Sequence, residues 1–274
     1  MPAINTNTAA NAAVRYLNIN SAQETSSLSK LSSGSRITSA SDDAAGLAIS
    51  TRISSDVTTL QQAATNASQA TAILQTADGG ASNISDILAR MKSLASESAS
   101  GTTTDSSRAY INSEFTQLTS EIDSIASGTR YSSQSLLDGS SVFASGVSVL
   151  VGSSGADTIN ITLTSLTSSS LGVSSLDVST LSDATSALTA LDTAIDTVSA
   201  ARASIGAQES RFNFSADSIS TQTQNLQAAN SAIEDVDIAA EQSKLSSAEV
   251  KTQAAVSALA AANQMPQYLL KLLG

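Results

Sequence analysis

Apolar residues along this chain recur mostly at steps of three and four, the spacing that places them on one face of a helix. From Thr6 to about Leu31, Val14, Leu17, Leu28 and Leu31 form a thin stripe that Ser21 and Glu24 interrupt. A second helical stretch carries Ile53, Val57, Leu60, Ala64 and Ala67, and the pattern resumes at Ile84, Leu88, Met91 and Ala95. Gly79-Gly80 lies between the two runs. Each glycine costs about 1 kcal/mol inside a helix, so local propensity predicts a break or kink there. After a turn at Ser100-Gly101-Thr102, Ile111, Phe115, Leu118, Ile122 and Ile125 give a coiled-coil seam that Gly128 closes. From Ser182 onward, Leu188, Leu191, Ile195, Val198, Ile205, Phe212, Ala216, Ile219, Leu226 and Ile233 keep near one heptad frame, with Arg202 and Glu209 interrupting the seam. The last helix carries Leu245, Ala248, Val256 and Leu259, and Pro266 is expected to kink or end it.

Between about Tyr131 and Val178 the period changes to two. Val147, Val149 and Val151 alternate with small or polar residues, as do Ile159, Ile161 and Leu163. With Gly152 to Asp157 between them, they predict a β-hairpin. The Ser/Gly-rich run from Leu31 to Asp43 reads as a connector, with Asp42 and Asp43 capping the helix that follows rather than ligating a metal. The expected fold is therefore mainly α: a long antiparallel helical bundle or coiled coil with a small β-hairpin region and paired terminal helices. Residues 1–41 with 236–274 form one domain, and 42–235, including the hairpin region 131–181, form the other. The terminal stripes are too thin to hold isolated helices in water, so these segments must pair with each other or with other chains.

Composition narrows the function. The 274 residues include no Cys, His or Trp, which excludes the common zinc sites, nucleophilic triads and thiol redox chemistry. We expect no enzyme, no catalytic residues, no cofactor and no metal. Formal charge is −11, from 13 basic and 24 acidic residues, which disfavours nucleic acid as a partner. No apolar run reaches membrane-spanning length, and the N-terminus lacks the basic start and apolar stretch of a cleavable signal peptide. Aromatic residues make up only 3%, which suits thin helical seams better than a broad globular centre.

Several segments resemble bacterial flagellin. At the front these are Leu28-Ser29-Lys30-Leu31-Ser32-Ser33-Gly34-Ser35-Arg36-Ile37 and Ser41-Asp42-Asp43-Ala44-Ala45-Gly46-Leu47-Ala48-Ile49. At the back they are Ser231-Ala232-Ile233-Glu234-Asp235-Val236-Asp237 and Ala261-Ala262-Asn263-Gln264-Met265-Pro266-Gln267, with Ser199 to Ala207 between. The resemblance implies a subunit that self-polymerises into the flagellar filament for motility, with an inner tube of terminal helices and a shell of helical bundles. It implies export by the flagellar secretion apparatus without signal cleavage, an export chaperone, a filament cap and an extracellular location. It also favours one continuous helix through Gly79-Gly80, and that is the expectation we adopt. The short interval from Ser165 to Leu181 predicts no additional outer domain. A hook–filament junction protein is the alternative within the class, and a helical lipid- or ligand-binding module the alternative outside it.

Two groups of candidate site residues follow. Arg90, Leu94 and Glu114 match the patch by which the family engages the innate Toll-like flagellin receptor, with Ala89 where Gln is usual beside the arginine. The competing reading of Arg90 and Glu114 is a simple interhelical ion pair. Candidates for terminal assembly and chaperone contact are Leu28, Leu31, Val256, Leu259, Tyr268, Leu269, Leu270, Leu272 and Leu273. These terminal leucines are too few, and too poor in flanking basic residues, for a membrane-active helix.

Overall fold

The structure is a computed structural model that describes residues 6–273, apart from the side chains of residues 266 and 269–273. In chain order it contains α1 (Thr8–Ser33), α2 (Ala44–Ser98), α3 (Asp105–Gly128), β1 (Arg130–Tyr131), β2 (Gln134–Ser135), α4 (Val142–Ser145), β3 (Val147–Leu150), β4 (Thr158–Ile161), α5 (Leu181–Glu234) and α6 (Ile238–Leu273). The chain divides into two compact units, residues 1–55 with 225–274 and residues 56–224. α2 and α5 contribute residues to both.

In unit 56–224, α2, α3 and α5 share a core. Buried positions on α2 run Leu60, Ala63, Ala67, Ala70, Leu74, Ala77, Ala81, Ile84, Leu88, Met91 and Ala95. This three-four alternation passes the glycine pair without a slip, with Ala77 and Ala81 on either side. The helix therefore continues through Gly79-Gly80, as the family resemblance implies and against the local propensity. Gly80 has a packing reason of its own. A Cβ there would collide with Thr129 Oγ1 and lie 2.9 Å from Leu137 Cδ1, so its bare backbone admits the chain leaving α3.

Facing α2, α5 buries Ala184, Ala187, Leu191, Ala194, Val198, Ala201, Ile205, Gln208, Phe212 and Ile219. Two sequence expectations are corrected here. The seam passes through Ala187 and Ala194 rather than Leu188 and Ile195, and it is not interrupted by Arg202 or Glu209. Those two flank it, because the buried positions are Ala201 and Gln208. Arg202 instead reaches across to Asp78, with Nε to Oδ1 at 2.9 Å, and this contact raises the arginine pKa further. Gln208 is tolerated in the seam because its amide pairs with both backbone groups of Thr162, at 3.0 and 2.9 Å.

The expected hairpin forms from β3 and β4, antiparallel, with Val147 opposite Ile161 and Val149 opposite Ile159. The smaller β1–β2 pair turns through Ser132 and Ser133, both at positive φ. The interval after β4 is an ordered strap rather than an additional domain. Ser168 donates through its backbone N and its Oγ to Asp123, at 2.8 and 2.7 Å, and Val178 N donates to Asn112 Oδ1 at 3.1 Å.

In the other unit, α1 packs along α6. Of the two outcomes expected at Pro266, a kink or an end, the end is overturned, since α6 runs from Ile238 to Leu273. Proline removes one amide donor from a helix. The acceptor it strands, four residues back at Ala262, finds another donor, described below. Gly34 closes α1 in a left-handed conformation with φ 73°. As expected, Asp43 caps α2, accepting from Gly46 N at 2.8 Å. Asp42 closes the connector by accepting from Thr38 and Ser39, and the Thr38 hydroxyl and amide hold its carboxyl below its usual pKa.

Candidate functional site

The terminal helix pair departs from an ordinary amphipathic arrangement. On α1, the half-buried or buried positions are Ala10, Ala13, Leu17, Asn20, Glu24, Ser26, Ser27, Lys30 and Leu31, a mostly three-four stripe in which small and polar residues predominate. Val14, Tyr16, Ile19 and Leu28 lie outside this seam and are exposed. On α6, Glu241, Leu245, Ala248, Ala255 and Ala262 are buried, while Ile238, Val250, Val256, Met265 and Tyr268 are exposed. The pair thus closes through its smaller residues and leaves much of its larger apolar surface outside.

Polar contacts set the register of this seam. Near the connector end, in the first turn of α6, Ser27 Oγ donates to Glu241 Oε1 at 2.7 Å, with both residues buried. Lys244 Nζ binds the other oxygen, Oε2, at 2.9 Å. The Lys244 ammonium first, then the Ser27 hydroxyl, holds the Glu241 carboxyl below its ordinary pKa despite the opposing effect of burial. Toward the chain ends, Asn7 Nδ2 donates to the Ala262 carbonyl at 2.8 Å. At the other end of the pair the two connectors lie side by side. Arg36 N donates to Glu234 O at 2.6 Å and Val236 N to Gly34 O at 3.0 Å. The Arg36 guanidinium caps the end of α5 at Ile233 O, 2.6 Å away, and Ser50 Oγ donates to Glu234 Oε2 at 2.6 Å.

An open groove of about 600 Å³ runs between the two helices, lined by Asn20, Gln23, Ser243, Lys244, Ser247, Ala248 and Lys251. Its lining offers hydrogen bonds and two lysine ammonium groups. Among the described residues no cluster of acidic side chains could hold a metal, and no helix is long and apolar enough to cross a membrane.

Leu31 and Leu259 are half-buried in the terminal unit, whereas Leu28, Val256 and Tyr268 face outward. The side chains of Leu269, Leu270, Leu272 and Leu273 lie outside the described residues. Arg90 and Glu114 form an exposed interhelical ion pair, Nη2 to Oε1 at 2.7 Å. Leu94 is only 2% exposed, so it packs inside the bundle and offers no surface to a partner. Sequence reasoning missed Asn7, Ser27, Glu241 and the Ser50–Glu234 contact. Single polar residues on otherwise polar helices carry no periodic signal, and their partners lie roughly two hundred residues away.

Comparison with known proteins agrees with this arrangement. Residues 4–142 match the bacterial flagellin N-terminal helical region, and residues 188–273 match the bacterial flagellin C-terminal helical region. The flagellin of Halalkalibacterium halodurans is 36% identical over 272 residues, covering 98% of this chain and 99% of the relative. That of Listeria monocytogenes is 36% identical over 283 residues with the same coverage. A flagellar filament core protein of Treponema maltophilum is 34% identical over 282 residues, again covering 98% and 99%. Among solved structures, Bacillus cereus flagellin superposes with a TM-score of 0.52 at 29% identity, covering 61% of this chain and 94% of its own. A putative flagellar hook-associated protein from Vibrio parahaemolyticus, with a TM-score of 0.57 at 15% identity, covers 71% of this chain and 100% of its own and shares the fold. With both family regions matched in order and relatives aligned over nearly the whole chain, the protein belongs to the bacterial flagellin family.

Proposed function

We propose that copies of this chain polymerise through their terminal helices into the extracellular flagellar filament that drives motility. The observation that carries this reading is the terminal pair that closes on small and polar residues while Val14, Ile19, Leu28, Val250 and Val256 stay exposed. Apolar surface held outside an internal seam gains free energy when another copy covers it. If each copy offers one surface and accepts a different one, the contact is heterologous and need not close, so an open helical polymer grows. In this reading residues 1–41 and 236–274 line the inner tube and residues 42–235 form the shell. Family membership further supports export of the uncleaved chain through the flagellar secretion apparatus, escorted by a chaperone and assembled beneath a cap.

Electron microscopy and limited proteolysis test the proposal together. The full chain is expected to form filaments that resist protease and contain the uncleaved polypeptide by intact mass. A chain trimmed to residues 42–235 is expected to stay helical and melt cooperatively, because its core lies in the bundle, yet to form no filament. Filaments from the trimmed chain would defeat the mechanism.

A further inference from the structure

We infer that Asn7 sets the register of α1 on α6 by occupying the carbonyl that Pro266 strands, forming a clasp between the two chain ends. In an uninterrupted helix the Ala262 carbonyl accepts from the amide of residue 266. Proline has no such amide, and Ala262 is buried at 6% exposure. An acceptor so placed is costly without a partner. Asn7 Nδ2 supplies that partner at 2.8 Å.

The same side chain is already committed elsewhere. Asn7 Oδ1 accepts from Ala10 N at 3.0 Å and so caps α1. Its amide therefore ties the first turn of α1 to one particular carbonyl of α6. Aspartate would keep the acceptor and lose the donor. Serine caps a helix about as well as asparagine, but its shorter side chain cannot hold both bonds. Along α6, Pro266 frees one carbonyl while its neighbours stay paired within the helix, so the donor finds a single target. A slide of α1 by one turn would leave Ala262 unpaired again. The clasp gives this weakly apolar seam a positional marker at the chain ends, as Ser27 and Glu241 provide one near the connectors.

The test is a double-mutant cycle on full-length chains in the filament, read by amide hydrogen exchange over residues 8–20. This rests on the polymer reading only for the state measured. Unmutated chains that fail to polymerise would defeat that reading, whereas filaments without the coupling would defeat this one. Asn7→Ser is expected to speed exchange about tenfold when Pro266 is present, since it leaves a buried acceptor unpaired. With Pro266→Ala, whose new amide serves Ala262, the same change is expected to have less than about a twofold effect, because the cap is retained. Equal acceleration in both backgrounds, or none in either, would overturn the clasp. If Asn7→Ser chains do not polymerise, filaments from the double variant support the clasp, and their absence overturns it. Failure of Pro266→Ala alone to polymerise also overturns it, because the proline would then serve another purpose.

Discussion

Gly79 and Gly80 are neighbours in α2 that lack a side chain under opposite circumstances. A Cβ at Gly79 meets nothing within 4 Å, whereas one at Gly80 meets Thr129 and Leu137. Alanine at position 79 therefore removes backbone freedom from the unfolded chain and introduces no clash. It is expected to stabilise the bundle by about 1 kcal/mol, which in a unit of this size raises Tm by roughly 2–4 °C. Alanine at position 80 must displace both γ atoms of Thr129 and Cδ1 of Leu137 and is expected to lower Tm, even though its intrinsic helix propensity is equally better. Thermal unfolding of Gly79→Ala and Gly80→Ala, followed by circular dichroism, checks the contrast. A shift of the same sign in both would show that propensity, and not the contact with Thr129 and Leu137, governs this stretch.

At the scale of the element, the terminal seam holds near its connector end a buried carboxylate with neighbours from both helices. Glu241 faces Ser27 and, electrostatically, Lys30 from α1, and Lys244 from its own helix. Its folded pKa is lowered from 4.5. The bound carboxylate therefore contributes stability above the unfolded value, and that contribution is lost as pH falls through the lowered one. Glu241→Gln is expected to weaken the pair at neutral pH by on the order of 1 kcal/mol and to flatten this acid-dependent step. Dissociation temperatures of filaments between pH 7 and pH 3 check both effects, and an unchanged acid step in the variant would place its origin elsewhere. The sequence announces this element only in part. Isoleucine, leucine and phenylalanine at three-four spacing reveal the bundle helices, and alternating Val147, Val149, Ile159 and Ile161 reveal the hairpin. The alternate seam positions are alanines, such as Ala187, Ala194 and Ala201, which are common on every face of these helices. Apolar spacing therefore places the alternate positions of the α5 seam one residue too late, at Leu188, Ile195 and Arg202, while Leu191, Val198, Ile205 and Phe212 agree. Pro266 by itself predicts a kink or an end to the helix, because the donor that compensates for it stands 259 positions earlier, at Asn7.

For the whole molecule, the two units place their apolar residues differently. Unit 56–224 encloses Phe115, Phe212, Leu74, Ile84 and Met91 in its own core. The terminal pair buries mainly alanine, with Ser27, Leu245 and one carboxylate, and holds Val14, Tyr16, Ile19, Leu28, Val250, Val256 and Tyr268 outside. Family membership is legible because most of the motifs carrying it lie in α1, the connectors, the adjoining ends of α2 and α5, and α6, the segments that form the terminal unit, while Ser199 to Ala207 lies in α5 of the other unit. The outward placement of Leu28 and Val256 was not legible, because a helix does not disclose which of two thin stripes its partner will take. The deferral of apolar burial has a thermal consequence. In the proposed polymer, the covering of Val14, Ile19, Leu28, Val250 and Val256 by other copies adds a heat-capacity change that closing the pair within one chain does not supply. Contacts of that kind lose strength on cooling, so the joints between subunits would soften in the cold while the body of each subunit stays intact.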